Sequence, residues 1–440
     1  MQTHGVSFYL TMDTDQLYDV FNNTNGVCID SRNIIPGGVF FALSGENFDG
    51  NKFARDAIDK GAKHAVIDNP DYAISGKTFL VDNSLFALQK LAQHHRQQMS
   101  AKIIAITGSN GKTTTKELIF AVLKRHFNTI ATSGNLNNHI GVPLSLLNIK
   151  PETDYAIIEM GANHQGEIDT LCDIAVPDFG LITNVGKAHL EGFGSFEGVK
   201  SAKAELYKSL KKTGGTVLIN MDNPVLWDML EQQDFVSYSF TSKEAFCYGR
   251  VFYEQKYIGV EWQTKHMAGK CLSRIQGSYN AENILAAICT AAYLNVPREI
   301  TDKAISNYIP GNQRSEIKVT EKNTLFLDMY NANPSSMELA IKDFHNAEEE
   351  QVLIIGDMKE LGNESFLAHR EILDMINQLG FKRVYLSGPE FYKLKHQYNF
   401  RFFEDTEGLA NWLKKNNIQD KQVFIKGSRA MQLEKVIPYL

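Results

Sequence analysis

The sequence predicts an α/β protein of three domains: a small α/β domain, a central parallel-sheet domain carrying a glycine-rich loop, and a C-terminal Rossmann-like domain. Three observations predict it. A chain of 440 residues holds about three domains at roughly 150 residues each. Apolar runs of strand length alternate with helical patterns in two separate stretches. A loop rich in glycine lies between an apolar strand and a helix. The expected boundaries are 1–98, 99–310 and 311–440.

In the first stretch, strand-like runs occur at 39–43, 64–67 and 78–81, and 86–98 reads as a helix leading out. The second opens with 102–107, a continuous apolar run suited to a strand buried on both faces. Leu118 with Val122, and Ile119 with Leu123, mark the next helix. Further strands are expected at 155–158, 181–183 and 216–220. An insert at 245–276 alternates polar and apolar residues and reads as antiparallel hairpins. The third stretch starts near the Pro310-Gly311 turn pair. Its strands are expected at 325–329, 352–355, 383–386, 401–403 and 423–425, and its helices at 335–346, 365–379, 407–415 and 431–436.

Composition narrows the function classes. The chain is 43% hydrophobic and 22% charged, as in ordinary globular proteins. A net charge of -6 argues against a nucleic-acid partner. Five cysteines without C-x-x-C spacing form neither a disulfide framework nor a zinc site. Residues 1–10 lack a basic segment followed by an apolar one, and no apolar run reaches the ~20 residues of a membrane span. A cytoplasmic protein without membrane insertion is expected.

The sharpest motif is Thr107-Gly108-Ser109-Asn110-Gly111-Lys112-Thr113-Thr114. Glycines let backbone N–H groups turn inward around phosphate oxygens. The helix N-terminus adds about half a positive charge at the same place. Lys112 supplies a point charge for the β- and γ-phosphates, and Thr113 offers a hydroxyl to Mg²⁺. The spacing is shorter than the general phosphate-loop pattern, because Ile106 stands where that pattern has its first glycine.

Ligands of open parallel sheets bind beyond the carboxyl ends of strands. Glu159 ends one expected strand and could hold Mg²⁺ with Thr113. His189 follows another, and Lys203 lies one helix further on. By spacing alone, Glu159 also suits a solvated strand-end acid, and Lys203 a solvated helix face. Imidazole is an unusual Mg²⁺ ligand.

These residues carry a resemblance to the Mur ligases. The loop at 107–114 is similar to that family's T-G-x-x-G-K-T-T, Asn184 to Glu191 to its N-x-G-x-A-H-L-E, and Ala202 to Glu205 to its A-K-x-E. The resemblance runs from Asp30-Ser31-Arg32 to Lys426-Gly427-Ser428-Arg429. It implies ATP, two Mg²⁺ ions and a carbamate made from CO₂ on Lys203, which would hold the second ion with His189. It makes Lys112, His189 and Lys203 the catalytic candidates. It assigns Asn280, Asn283, Arg314 and Asp328 to the nucleotide, beside Gly108, Ser109, Asn110, Gly111, Lys112, Thr113 and Thr114. By spacing alone, Asn280 and Asn283 lie one turn apart and equally suit pairing on a helix.

The resemblance further implies that the first domain holds the UDP end of the substrate, with Ser31, Arg32, Asn47 and Asp49 as candidates. Asn135, Asn137 and Asn138 are candidates for the muramoyl peptide. Lys426, Ser428 and Arg429 are candidates for the carboxylate of an incoming dipeptide, with Asn331 also facing substrate. The run Tyr330-Asn331-Ala332-Asn333-Pro334 resembles the branch that adds D-alanyl-D-alanine to a UDP-N-acetylmuramoyl tripeptide. The expected reaction passes through an acyl phosphate, and a monomer is expected. Alternatives are a related amino-acid ligase, a folylpolyglutamate synthase, which shares loop and architecture, and an ATPase switch that does not ligate.

Overall fold

The computed structural model describes residues 12–254, 257–311, 314–345 and 350–440. Residues 1–10, Asn312, Gln313 and the end of the helix expected to reach Asn346 lie outside the described residues.

The first sheet has four parallel strands, Val27–Cys28, Val39–Phe41, His64–Ile67 and Thr78–Leu80, in that order. The helix Ser84–Gln98 leads out of it and starts where Asn83 accepts a hydrogen bond from Phe86 N at 2.7 Å. Leu88, Leu91, Ala92 and His95 are its buried face, the spacing of an amphipathic helix. Arg96, near its end, donates to Ala175 O at 3.0 Å and pairs with Asp178 at 3.0 Å. That guanidinium ties the first sheet's exit helix to the second sheet.

The second sheet has nine strands, and seven of them form a run of parallel pairs. At its centre Lys102–Thr107 lies between Tyr155–Glu159 and Phe179–Ile182. The chain builds one flank before Phe179 and the other after it. The strand order therefore reverses at Lys102–Thr107, and the crevice of a topological switch point opens at its carboxyl end. Alternate residues of this strand enter different cores. Ile103 and Ala105 face one, Ile104 and Ile106 the other. All four have 0% exposure, and each isoleucine side chain contributes about 1.5–3 kcal/mol by burial. The insert forms antiparallel strands at Cys247–Glu254, Tyr257–Gln263 and Ala268–Leu272, which extend the same sheet.

The third sheet has six strands in the order Glu316–Val319, Thr324–Asp328, Gln422–Lys426, Gln351–Gly356, Arg383–Ser387 and Arg401–Phe403. The first is antiparallel to its neighbour and was not expected from sequence. Its residues EIKV are half-buried or exposed, so they lack the apolar run that marks a core strand. The α-helix expected at 431–436 is instead 3₁₀ backbone, in Arg429–Met431 and Leu433–Tyr439. Pro438 supplies no N–H there, and the tighter turn ends the chain. All five cysteines are free and buried. No helix among the described residues is long and apolar enough to cross a membrane.

Candidate active site

The glycine-rich loop leaves the central strand and enters the helix Lys112–Leu123. Gly108 has φ +144°, and a Cβ there would lie 2.0 Å from Thr183 Oγ1. Only glycine permits that approach. The loop is strapped to the segment after Phe179–Ile182. Thr183 Oγ1 donates to Asn110 O at 2.6 Å, Asn184 Oδ1 accepts from Asn110 N at 3.0 Å, and Ser109 Oγ donates to Gly186 O at 3.1 Å. Asn184 and Gly186 of the second motif thus hold the shape of the first. Gly111, at φ +82°, caps the helix without a side-chain hydrogen bond, so the first N–H groups stay available for an anion.

Lys112 Nζ donates to Gly108 O at 2.7 Å and Ser109 O at 3.3 Å, which places its charge over the loop. The residue is half-buried overall, but its amine is enclosed. Desolvation, and the nearby Arg314 charge, hold its pKa below the ordinary lysine range, while Glu159 opposes the shift. Thr114 follows in the first turn of the helix.

Thr113 Oγ1 donates to Glu159 Oε2 at 2.9 Å, and Asn137 Nδ2 donates to Glu159 Oε1 at 2.8 Å. Glu159 is 2% exposed at the crevice. Lys116, fully buried one turn after Lys112, lies 3.7 Å from the same carboxylate and donates to Thr132 O at 2.6 Å. A hydroxyl and a carboxylate in contact beneath a phosphate loop are hard oxygen donors that suit Mg²⁺, which takes few protein ligands and keeps phosphate and water. Among the described residues no group of three or more His, Cys, Asp or Glu side chains gathers as a metal cluster. The donor set therefore fits a cation shared with phosphates, not a protein cage.

His189 has φ +52°, and its Nδ1 lies 2.5 Å from Glu360 Oε2 of the third sheet's side. Lys203, on the helix Phe196–Thr213, is 2% exposed, with Nζ 5.4 Å from the Phe193 ring centre. Burial, reinforced by the Lys112 charge, pulls its pKa down to about 7. A bare amine is no ligand for a hard cation, so this half of the site fits Mg²⁺ only if Lys203 acquires oxygen donors.

Asn280 and Asn283 do pair on one helix, with Asn283 Nδ2 donating to Asn280 Oδ1 at 2.8 Å. Thr115 Oγ1 donates to Asn283 Oδ1 at 3.0 Å, so the pair also backs the phosphate-loop helix. Arg314 stacks over Tyr330 at 3.5 Å from the ring centre. Asp328 forms an ion pair with Lys426, which is 2% exposed and also donates to Asn331 O at 3.3 Å. Between the second and third units lies a cleft of about 630 Å³ whose walls include Ser278, Tyr279, Ser315 and Asp328.

The remaining candidates are spread out. Ser31 O accepts from Lys60 Nζ at 2.9 Å. Arg32 is exposed and pairs with Asp30 at 2.8 Å, and its hydrogen bonds hold the Asp30 pKa down at about 2. Asn47 sits exposed in the turn between Ser44–Gly45 and Phe48–Asp49, and Asp49 accepts from Asn51 N at 3.0 Å as a cap. Asn135 is exposed, and Asn138 Oδ1 accepts from Gly141 N at 2.9 Å. Asn331 is exposed, with Oδ1 accepting from Ala332 N at 2.8 Å. Ser428 is buried and accepts from Lys359 N at 2.9 Å, while Arg429 is exposed with Nη1 3.7 Å from Glu434. Of the C-terminal trio, then, only Arg429 presents its side chain outward.

Sequence reasoning missed four residues that the fold brings to the site: Lys116, Thr183, Asn333 and Glu360. Thr183 and Glu360 follow strand ends at switch points, a signal present in the strand pattern. It also missed the exposed Phe48, which stacks on Phe53 at 5.4 Å beside Asn47.

Three family models match the chain in order: Mur ligase family, catalytic domain, at 23–105; Mur ligase middle domain at 106–291; and Mur ligase, glutamate ligase domain, at 313–429. The UDP-N-acetylmuramoyl-tripeptide–D-alanyl-D-alanine ligase of Bacillus subtilis is 34% identical over 94% of this chain and 92% of its own. A crystal structure of MurF from Acinetobacter baumannii superposes with a TM-score of 0.85 at 27% identity, covering 98% of both chains. MurF ligase from Thermotoga maritima in complex with ADP matches with a TM-score of 0.83 at 27% identity, covering 94% of this chain and 97% of that one. With this agreement over nearly its whole length, the chain belongs to the Mur ligase family.

Proposed function

We propose that the protein is an ATP-dependent ligase that joins D-alanyl-D-alanine to the terminal carboxylate of UDP-N-acetylmuramoyl tripeptide, releasing ADP and phosphate. The observation that carries this is the Thr113–Glu159 contact beneath a loop crossed by Lys112, in a chain whose curated relative bears that activity in its name. A carboxylate acylates poorly because oxide is its leaving group. Transfer of the ATP γ-phosphoryl to the carboxylate oxygen breaks the bond to ADP and gives an acyl phosphate. The dipeptide amine then bonds to that carbonyl carbon, loses a proton, and phosphate leaves. Lys112 and the helix N-terminus offset the repulsion between the two approaching anions. Mg²⁺ held by Thr113 and Glu159 would supply further charge neutralisation at the phosphates.

We place the domains at 1–98, 99–310 and 311–440. Ser31, Arg32, Asn47 and Asp49 take the UDP end, and Asn135, Asn137 and Asn138 the muramoyl peptide. Asn280, Asn283, Arg314 and Asp328 take the nucleoside side. Arg429 is the outward guanidinium suited to the dipeptide carboxylate, and Asn331 also faces substrate. Lys426 acts through Asp328, and Ser428 through the 357–360 backbone. Lys203 carries a carbamate: its neutral amine bonds to CO₂ and releases one proton. The pKa of about 7 supports this, because the neutral form is the nucleophile. The protein works as a cytoplasmic monomer.

The test is a phosphate-release assay with UDP-muramoyl tripeptide, ATP and D-alanyl-D-alanine, each omitted in turn, with the product weighed by mass spectrometry. All three should be required, and the product should be the pentapeptide. Phosphate release indifferent to acceptor and dipeptide would point to a switch. Turnover with folates or a single amino acid would point to the related ligases.

A further inference from the structure

We propose that Glu360 is a positioning residue through which the third unit completes the histidine half of the metal site in the second. The inference rests on the ligase reading above, in which His189 holds a metal ion. Two loops from different sheets meet here. His189 follows the strand Phe179–Ile182, and Glu360 follows Gln351–Gly356. Glu360 Oε2 lies 2.5 Å from His189 Nδ1, and Glu360 O accepts from Glu191 N at 3.4 Å. Both residues are left-handed, at φ +65° and +52°. Side chains with a Cβ rarely hold that conformation, and it persists where the surroundings fix it.

The pair is no stability device. Its side chains are 54% and 23% exposed, and ion pairs that wet add little. What it fixes is the ring. A metal-binding imidazole gives one nitrogen to the ion and donates the other N–H to a carboxylate, which sets tautomer and orientation. Glu360 Oε2 stands against Nδ1 at 2.5 Å, a charge contact that does not have hydrogen-bond angles, and on this reading it turns the ring so that Nε2 is left for the ion. Because this carboxylate belongs to the third unit, the site is complete only when that unit is docked. By linkage, metal binding then favours docking by the same factor.

The test uses the full chain with a non-hydrolysable ATP analogue and UDP-muramoyl tripeptide, titrated with Mn²⁺ and read by electron paramagnetic resonance. Glu360→Gly removes the carboxylate and suits the left-handed backbone, so it keeps the fold. Its Mn²⁺ affinity should fall about 10–100-fold. Glu360→Gln keeps an oxygen that accepts the Nδ1 proton and should lose clearly less. Small-angle scattering should show metal-dependent compaction in the unsubstituted protein and none in Glu360→Gly. A loss below tenfold in Glu360→Gly, an equal loss in Glu360→Gln, or unchanged compaction overturns the proposal. Failure of the unsubstituted protein to ligate counts against the ligase reading instead.

Discussion

Asn333 Nδ2 donates to Asn110 Oδ1 at 2.7 Å, joining the first turn of the helix Pro334–Phe344 to the phosphate loop of another sheet. The same side chain caps its own helix, its Oδ1 accepting from Ser336 N at 2.9 Å. One residue thus starts a helix and docks it. The two roles separate by reach. Asn333→Ser keeps a capping oxygen but is too short to touch Asn110. It should melt like the unsubstituted protein yet lose about 1 kcal/mol of docking, a three- to tenfold fall in kcat/KM for ATP. Steady-state kinetics beside a thermal melt checks this; unchanged kcat/KM would remove the docking role.

Lys112→Ala should lower turnover by about three orders of magnitude, because the charge over the loop stabilises transferred phosphate more than bound ATP. Gly108→Ala should fail for a different reason. Its Cβ would meet Thr183 Oγ1 at 2.0 Å, so the loop must open. Calorimetry with ATP analogue and Mg²⁺ should show weakened binding for Gly108→Ala and a smaller change for Lys112→Ala. The reverse order would contradict the assignment of roles.

Lys203 binds its proton less tightly folded than unfolded, since its pKa falls from the ordinary 10.5 to about 7. The unfolded chain therefore holds more protons between those values, and stability rises with pH across that window. The cost is complete below pH 7 and is relieved towards pH 10. In CO₂-free buffer Lys203→Met should raise Tm at pH 7, and the gap should close by pH 10. In activity assays Lys203→Ala should be inert, and short carboxylates should restore part of its turnover. Full activity without them would refute the carbamate.

Asp328 and Lys426 form an ion pair in which the lysine is 2% exposed. Removing one partner strands the other charge. Lys426→Ala should cost about 3 kcal/mol in urea unfolding, towards the low end for buried pairs because the Asp328 side chain is 17% exposed. Adding Asp328→Asn should recover part of that loss. If Lys426 instead touched the dipeptide directly, the single change would raise the dipeptide KM and leave stability intact.

Most of the parallel strands were legible because strands buried on both faces read as apolar runs, as in Lys102–Thr107, but the parallel strands Val27–Cys28, Thr129–Ala131 and Phe235–Ser239 were not expected. The phosphate loop was legible because its chemistry is local, with glycines, lysine and threonine adjacent in sequence. The edge strand Glu316–Val319 was not, since a half-exposed edge lacks the core pattern. Nor was the 3₁₀ ending at Leu433–Tyr439, whose apolar residues suit either helix. Lys426 read as a free cation beyond a strand, and its partner Asp328 stands 98 residues away.

By itself the sequence determined the alternation of strands and helices, the phosphate loop and the strand-end residues, because these depend on neighbours within a turn or a strand. Tertiary structure alone decided that Thr113 meets Glu159, that Asn333 reaches Asn110 and that Glu360 faces His189. Those contacts join residues 46 or more positions apart. The first exists once parallel strands have brought their carboxyl ends to one crevice, and the other two also need the third unit packed against it.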